Sequence, residues 1–313
     1  MADSGLILFN KPSGITSFDA LRDIKRALGT GKVGHTGTLD KFASGLLIVL
    51  VGKALRLSKW FTHCDKKYEG RIFFGSETDT LDPEGEIIAK APLPTRQQME
   101  EALPQFTGEI MQAPPSFSSI HIDGKRASVL AREGKMPEMK KRPVTIYELK
   151  LLNWEPPFAD IFVHCSSGTY IRSLARDIAI AAGSRAHLCE LKRTQIAGFE
   201  LDENNHEEIN HGVHGEEKKK RDYFLYPIDK IVIQSLGLPH IEVSKQESAN
   251  IFHGKPLNSI LDNKKIFSSN SSVSSVNSVV NSFFNHVAVF EGEKLIAVIE
   301  KAGETWKYAC VLG

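Results

Sequence analysis

Residues 34–51 read GHTGTLDKFASGLLIVLV, and two kinds of chain meet inside them. From Gly34 to Asp40 there are two glycines and two threonines. A loop of that kind can approach another molecule closely, because glycine carries no side chain to hold it off. From Gly45 to Val51 the chain has no polar side chain at all. That run is far too short to span a bilayer and predicts a buried strand. Asp40 therefore stands just before the chain enters a core, where a charged group is held rigidly. The loop is not a Walker A loop, since Gly-Lys-Ser/Thr is missing at the required place. On spacing alone, a phosphate-binding loop, an ordinary turn and a catalytic carboxylate all remain open.

Upstream, Gly5 to Phe9 (GLILF) predicts a strand ending at the turn Lys11-Pro12-Ser13-Gly14. Ser17 is expected to cap a helix in which Leu21, Ile24 and Leu28 recur at helical spacing, with Gly29 as its stop. Downstream, a short helix is expected near Leu55 to Phe61 and a strand from Tyr68 to Phe74. Thr78 to Gly85 (TDTLDPEG) is turn chemistry, and Thr95 should cap a helix running to about Leu103. Between Pro114 and Arg142 the composition turns to Pro, Ser, Lys and Arg, which predicts an exposed excursion with a helix inside it. Val144 to Leu152 and Ile161 to Cys165 read as strands, Tyr170 to Ala182 as a helix, and Leu191 to Leu201 as another strand. Strands and helices at irregular intervals indicate an α+β fold; the strict alternation of a doubly wound sheet is absent.

The chain has 313 residues, enough for one large domain and a small one. Lys and Arg number 39 against 38 Asp and Glu, a net charge of +1. A protein that coats nucleic acid by charge alone would be more basic, so an RNA partner would need the cations gathered on one face. Cys64, Cys165, Cys189 and Cys310 form no Cys-x-x-Cys pair and suggest neither a disulfide framework nor a zinc site. Free thiols and a reducing cytoplasm are the expectation. The N-terminal MADSGLILFNKPSG has no signal-peptide pattern, and no membrane association is expected.

Several segments stand in a fixed order. Lys11-Pro12-Ser13-Gly14-Ile15-Thr16-Ser17 precedes Gly34 to Asp40, and Ala43-Ser44-Gly45-Leu46-Leu47 follows. Lys67-Tyr68, Gly75 and Thr78-Asp79-Thr80-Leu81-Asp82 come next. Later stand Gly168-Thr169-Tyr170-Ile171-Arg172-Ser173-Leu174-Ala175-Arg176-Asp177, then Ala186-His187-Leu188 and Leu191-Lys192-Arg193-Thr194. Together they closely resemble the TruB family of tRNA pseudouridine synthases, over roughly residues 5–200.

The resemblance implies a pseudouridine synthase fold, with a mixed, mostly antiparallel central sheet and flanking helices. It implies that uridine at position 55 in the T loop of tRNA becomes pseudouridine, with no metal or other cofactor. Asp40 would be the essential carboxylate, acting as nucleophile or as base. Arg172 matches the arginine that pairs with it, and Tyr68 the active-site tyrosine, offering a ring face and a phenol. Tyr170 and Leu191 match residues lining the pocket, although plain core packing explains Leu191 as well. Lys11 matches a buttress of the site rather than a reacting group. His35 matches a histidine that contacts RNA where the extruded uridine leaves a space. The stretch from Ser116 to Arg142, with Lys125, Arg126, Arg132, Lys135, Lys140, Lys141 and Arg142, resembles an RNA-gripping insertion.

Some positions depart from the family. Lys41 follows Asp40 where proline is common, Phe117 stands where tyrosine is usual, and Ser119-Ile120-His121 and Arg126-Ala127-Ser128 also differ. The expected organisation is a catalytic domain over residues 1–230 and a divergent PUA-like RNA-binding domain over 231–313. Glu216 to Arg221 (EEKKKR) would be a linker or solvated helix, and the Ser/Asn-rich tract 268–282 a disordered loop. A monomer is the default expectation. The competing readings are a tRNA-holding module without activity, a relative acting on another RNA, and a metal-dependent hydrolase built on Asp79 and Asp82.

Overall fold

The computed structural model describes residues 4–135, 137–201, 223–261, 264, 266–268, 271–273, 285–303 and 305–312. The segment Glu216 to Arg221 lies outside them.

The apolar run Gly45 to Val51 becomes the middle of a sheet. β1 (Gly5–Lys11) leads to α1 (Ser17–Leu28), then β2 (Val33–His35) and β3 (Ser44–Val51). A 3₁₀ turn, Gly52–Leu57, runs into α2 (Ser58–Thr62), and β4 (Lys66–Phe74) follows. A small hairpin, β5 (Ser76–Thr78) and β6 (Ile87–Lys90), precedes α3 (Arg96–Ala102) and β7 (Gly108–Gln112). The basic excursion holds a second hairpin, β8 (His121–Ile122) with β9 (Lys125–Arg126), and α4 (Ala127–Arg132). β10 (Arg142–Glu155), β11 (Phe158–Cys165), α5 (Ile171–Ala181), β12 (Ala186–Ile196) and β13 (Phe199–Glu200) complete this part.

Nine of these strands make one sheet, in the order β1-β3-β12-β4-β11-β10-β7, with β2 beside β3 and β13 beside β12. Every pairing is antiparallel except β12 on β3, where Lys192 meets Ser44 and Arg193 meets Gly45. The expected mixed, mostly antiparallel α+β architecture is what the chain adopts. β3 is buried along its length, and its side chains alternate between two cores. Leu47, Val49 and Val51 pack with Ala20, Leu21 and Ile24 of α1. Leu46, Ile48 and Leu50 pack toward the C-terminal part. A third core sits under α5 and α3, where Leu174, Ile178 and Met99 meet Ile72, Ile161 and Val163 of the sheet.

Two local expectations are corrected. The cap of α1 is Thr16 rather than Ser17, with a reciprocal bond to Asp19. Ser17 is instead buried, and its hydroxyl clamps the backbone of Leu39. The strand expected from Leu191 begins at Ala186 and breaks at Ala197, whose φ is 48°. Pairing with the full length of β4 extends its start, and the turn at Ala197-Gly198 ends it.

The C-terminal part is a six-stranded sheet with short helices. α6 (Lys230–Ser235), β14 (His240–Glu242), α7 (Lys245–Phe252), α8 (Asn258–Leu261), β15 (Ile266–Ser268) and β16 (Ser271–Val273) come first. β17 (His286–Glu291), β18 (Lys294–Ala302) and β19 (Thr305–Val311) follow, in the order β16-β15-β14-β17-β18-β19. The Ser/Asn-rich tract is expected to be a loop throughout. Its first residues instead pair as the β15–β16 hairpin at the sheet edge, which needs only backbone partners. Residues 274–284 lie outside the described ones. No helix among the described residues is long and apolar enough to cross a membrane. All four cysteines are free thiols, with Cys165 fully buried.

Candidate active site

The loop carrying Asp40 is fixed from three sides. The Thr36 amide donates to the Ile48 carbonyl at 3.1 Å, which ties the loop to β3. The Ser17 hydroxyl accepts from the Leu39 amide at 2.9 Å and donates to the Leu39 carbonyl at 3.1 Å. On the third side, the turn after β1 holds the residues that follow Asp40. The Gly14 amide donates to Lys41 O at 2.8 Å, and Ser13 Oγ to Phe42 O at 2.6 Å. Gly14 has φ 87°, which glycine adopts without strain.

Lys11 is fully buried at the base of that turn. Its Nζ donates to Pro12 O at 2.9 Å, Ile15 O at 2.7 Å and Lys41 O at 3.4 Å. All three acceptors are backbone carbonyls, so the side chain works as a pin for the turn and the loop. Burial pulls its pKa down to about 8, with Asp40 acting in the opposite direction and Arg193 in the same one.

Asp40 and Arg172 stand 132 residues apart in sequence and meet in a two-pronged pair. Arg172 Nε lies 2.8 Å from Asp40 Oδ2 and Nη2 lies 3.2 Å from Oδ1. The side chain of Arg172 is 5% exposed, whereas that of Asp40 is 35% exposed. The carboxylate thus faces solvent while its counter-ion stays in the core. Arg172 is itself held by Thr80 O at 2.6 Å, Phe117 O at 3.1 Å and Asp82 Oδ2 at 3.2 Å. Every direction of the guanidinium is used, which leaves it one orientation.

Sequence reading gives Asp82 no place beside Asp40; there it enters only as a metal-ligand alternative. The segment Thr78 to Gly85 reads as turn chemistry, and it does turn: Leu81 has φ 61°, and its carbonyl accepts from Leu188 N at 3.1 Å. The turn aims Asp82 inward at Arg172. Thr80 Oγ1 and the Glu84 amide donate to Asp82 Oδ1 at 2.6 and 3.0 Å. Burial pushes its carboxyl above the usual carboxylate range, against the pull of Thr80, Arg172 and the Glu84 amide. The Asp79 carboxylate accepts from the Glu86 amide at 2.9 Å. Asp79 and Asp82, the pair of the metal-site alternative, thus turn to different partners, Asp79 to the Glu86 amide and Asp82 to Arg172. Among the described residues no group of three or more His, Cys, Asp or Glu side chains is placed to hold a metal ion.

Tyr68 lies on β4 between Val163 of β11 and Arg193 of β12, and is 8% exposed. Burial drives its phenol up to about 12, and Arg193 is the largest opposing influence. The phenol is a neutral hydroxyl at ordinary pH. Leu191, opposite Gly70, is packed in the core beneath α5. Tyr170 caps α5, and Gln112 grips its backbone, accepting from its amide at 2.9 Å and donating to its carbonyl at 3.1 Å. The Arg142 guanidinium lies 5.3 Å from the centre of the Tyr170 ring. His35, on β2, accepts at Nδ1 from the Gly37 amide at 3.4 Å. Burial, then the charge of Arg193, lower its pKa.

The structure thus joins Asp40 to Arg172 directly, sets Tyr68 and Leu191 on the same face of the sheet, and gives Lys11 a supporting place. Arg193 and Gln112 also belong here. Both stand in segments that match the family, but a polar residue in a strand or a loop gives no sequence signal that it points inward, so neither is assigned a role from sequence. The basic side chains Lys125, Arg126, Arg132, Lys135, Lys140 and Lys141 are exposed, with Glu133 as the partner of Lys125 and Lys135. A separate cavity of about 880 Å³, lined by Trp60, Tyr147, His164 and His286 among others, shares no residue with the Asp40 site.

Comparison with known proteins bears on the family and the fold. Residues 25–171 match the family model described as TruB family pseudouridylate synthase, N-terminal domain. The tRNA pseudouridine synthase B of Borreliella burgdorferi (strain ZS7) is 48% identical over 202 residues, covering 64% of this chain and 72% of that protein. The enzyme of the same name from Stutzerimonas stutzeri (strain A1501) is 39% identical over 259 residues, covering 81% and 83%. Among solved structures, one titled as a Cbf5-Nop10-Gar1 complex has a chain that aligns with a TM-score of 0.65 at 23% identity, covering 99% of this chain and 85% of that one. A chain of an archaeal box H/ACA sRNP Nop10-Cbf5 complex aligns at 0.64 with 20% identity, covering 99% and 86%. At those identities the structural likeness speaks for the fold alone.

Proposed function

The chain belongs to the TruB family of pseudouridylate synthases and isomerises uridine to pseudouridine in tRNA, and from that premise we propose that its target is uridine 55 of the T loop and that Asp40 carries the reaction. The observation that supports Asp40 most is its pairing. A buried, fully committed Arg172 holds both oxygens of a carboxylate that stays one-third open to solvent. A side chain so fixed meets its substrate without first having to be ordered.

The uridine must leave its stack to reach the site, at a cost of a few kcal/mol. The N1–C1′ bond then breaks and its electron pair departs with N1. Asp40 serves either as nucleophile at C1′ or as base for the C2′ proton, and both routes need its oxygen facing the ribose. The freed uracil turns and C5 bonds to C1′; on the nucleophile route this breaks the Asp40–C1′ bond and frees the carboxylate, and on the base route Asp40 returns its proton to C2′. The C5 proton then leaves, and N1 takes up a proton. Atoms and charge balance without any other reactant. A phenol that holds its proton up to about 12 suits Tyr68 to bear the uracil ring and donate a hydrogen bond rather than to act as an ionised base. Tyr170 and Leu191 complete the apolar walls, His35 meets the RNA at the mouth, and the exposed cations after Ser116 meet phosphates.

The test is tritium release from tRNA carrying [5-³H]uridine, wild type beside Asp40→Asn. Release by wild type alone, mapped to position 55, is the expected result. Equal release by Asp40→Asn would remove Asp40 from the chemistry, and release from another position would move the target.

A further inference from the structure

Among the described residues, the largest fully buried side chain is an arginine. Arg193 is 2% exposed, between the loop of Asp40 and the strand of Tyr68. Its Nε donates to Leu46 O at 2.8 Å and its Nη2 to Gly37 O at 3.3 Å. Those carbonyls flank Asp40 in sequence, so one guanidinium ties down both ends of the segment that carries it. The backbone is as closely engaged. Gly45 pairs with Arg193 across the parallel junction, and a Cβ on Gly45 would sit 2.3 Å from Arg193 O. Gly45, with φ 104°, is what lets the two strands approach there.

Among the described residues, Arg193 has no carboxylate within ion-pair distance; its partners are the carbonyls of Leu46 and Gly37 and the phenol of Tyr68. The charged and titratable groups around it are Lys11 on β1, His35 on β2, and Lys66 and Tyr68 on β4. The charge of Asp40 acts on Lys11 and Tyr68, and that of Cys165 of β11 on Lys66 and Tyr68. Lys66 is likewise satisfied by carbonyls, those of Thr62 and Cys64. A desolvated cation with hydrogen bonds but no counter-ion keeps most of its field, because little solvent screens it.

We propose that Arg193 is a positioning residue for the isomerisation, one whose fixed positive charge beside Tyr68 steadies the uracil while that base holds the electron pair of the broken N1–C1′ bond. The proposal rests on the pseudouridine reading above. Between cleavage and rejoining the base is an anion, and C1′ is satisfied through Asp40. Once C5 has joined C1′, lost its proton and left N1 to take one, the base is neutral again. A fixed cation therefore favours the intermediate and the transition states beside it over both substrate and product, which is the form of binding that accelerates a reaction.

Single-turnover tritium release, tRNA affinity and thermal unfolding of wild type, Arg193→Gln and Arg193→Lys test this. Arg193→Gln should lose roughly 100-fold in rate, the scale of one removed oxyanion donor, with affinity unchanged. Arg193→Lys keeps the charge and should stay active near neutral pH. Its rate should then fall more steeply than that of wild type toward alkaline pH, because burial lowers the pKa of a lysine, as it does for Lys11 and Lys66. Arginine in the wild type stays charged throughout. If Arg193→Gln does not fold, the alkaline limb of Arg193→Lys decides alone. Equal losses in the two variants, or an Arg193→Lys profile parallel to wild type, would overturn the proposal. No release by wild type would instead overturn the reading beneath it, and the proposal with it.

Discussion

Replacing Arg172 by alanine should cost the protein both stability and turnover, and the two losses come from different partners. The guanidinium holds Asp40, Asp82 and the carbonyls of Thr80 and Phe117. The Asp82 side chain is 10% exposed against 35% for Asp40, so water can replace Arg172 at Asp40 but hardly at Asp82. Breaking a buried ion pair costs about 3–5 kcal/mol. At about 2–4 °C per kcal/mol for a chain approaching this size, that is a fall of roughly 10 °C in Tm.

Asp82 has one escape, which is to take up a proton. Burial already holds its carboxyl above the ordinary range, and Arg172 is one of the influences pulling it down, so the variant carries a further rise. A carboxyl whose pKa is higher folded than unfolded lends its stability fully below the unfolded value and loses it as pH climbs through the folded one. The deficit of Arg172→Ala should therefore be larger near pH 7 than near pH 5. Thermal unfolding at the two pH values measures it, with tritium release alongside. Turnover should drop by at least about 100-fold, because Asp40 loses the fork that orients it. A Tm deficit that grows toward acid, or wild-type turnover in a folded variant, would refute the reasoning.

Tyr68→Phe should keep tritium release within about tenfold of wild type, since proton transfer by the phenol would be worth about 10²–10⁴ and its high pKa argues against that role; a larger loss would restore the hydroxyl to the chemistry. Replacing Lys125, Arg126, Lys140 and Lys141 with alanine should flatten the salt dependence of tRNA binding, by about 0.7–0.9 in slope for each phosphate no longer neutralised. Titration of affinity against salt checks this, and an unchanged slope would place the RNA elsewhere.

Much of the site is legible in the sequence, but by different routes. Asp40 can be singled out from local chemistry, because a small-residue loop runs straight into an apolar strand. Arg172 can be tied to it only through resemblance, since nothing local links residues 132 positions apart. Asp82 stays hidden because Thr, Asp, Pro and Gly compose surface turns and inward ones alike; the left-handed Leu81 decides the direction. Ser17 and Thr16 are equally good caps by type, and the choice depends on Leu39, which only tertiary structure brings near. The α+β class follows from the irregular order of elements and the mixed sheet from resemblance, whereas its one parallel junction depends on Gly45, a residue that sequence alone assigns to a strand start.

The outward face of β3 bears on how this protein can be cut. Leu46, Ile48 and Leu50 share a single apolar cluster with Ala288, Phe290, Leu295 and Val298 of the C-terminal sheet, and with Val232 and Ile233 of α6. Truncation before residue 230 would strip the cover from a strand whose other end sits four residues from Asp40. The fragment would expose a contiguous sticky patch and be prone to aggregate. Loss of activity in such a fragment would be evidence of misfolding before it was evidence that the missing part grips RNA. Point changes on the far surface of the C-terminal sheet are the cleaner instrument for dissecting the two.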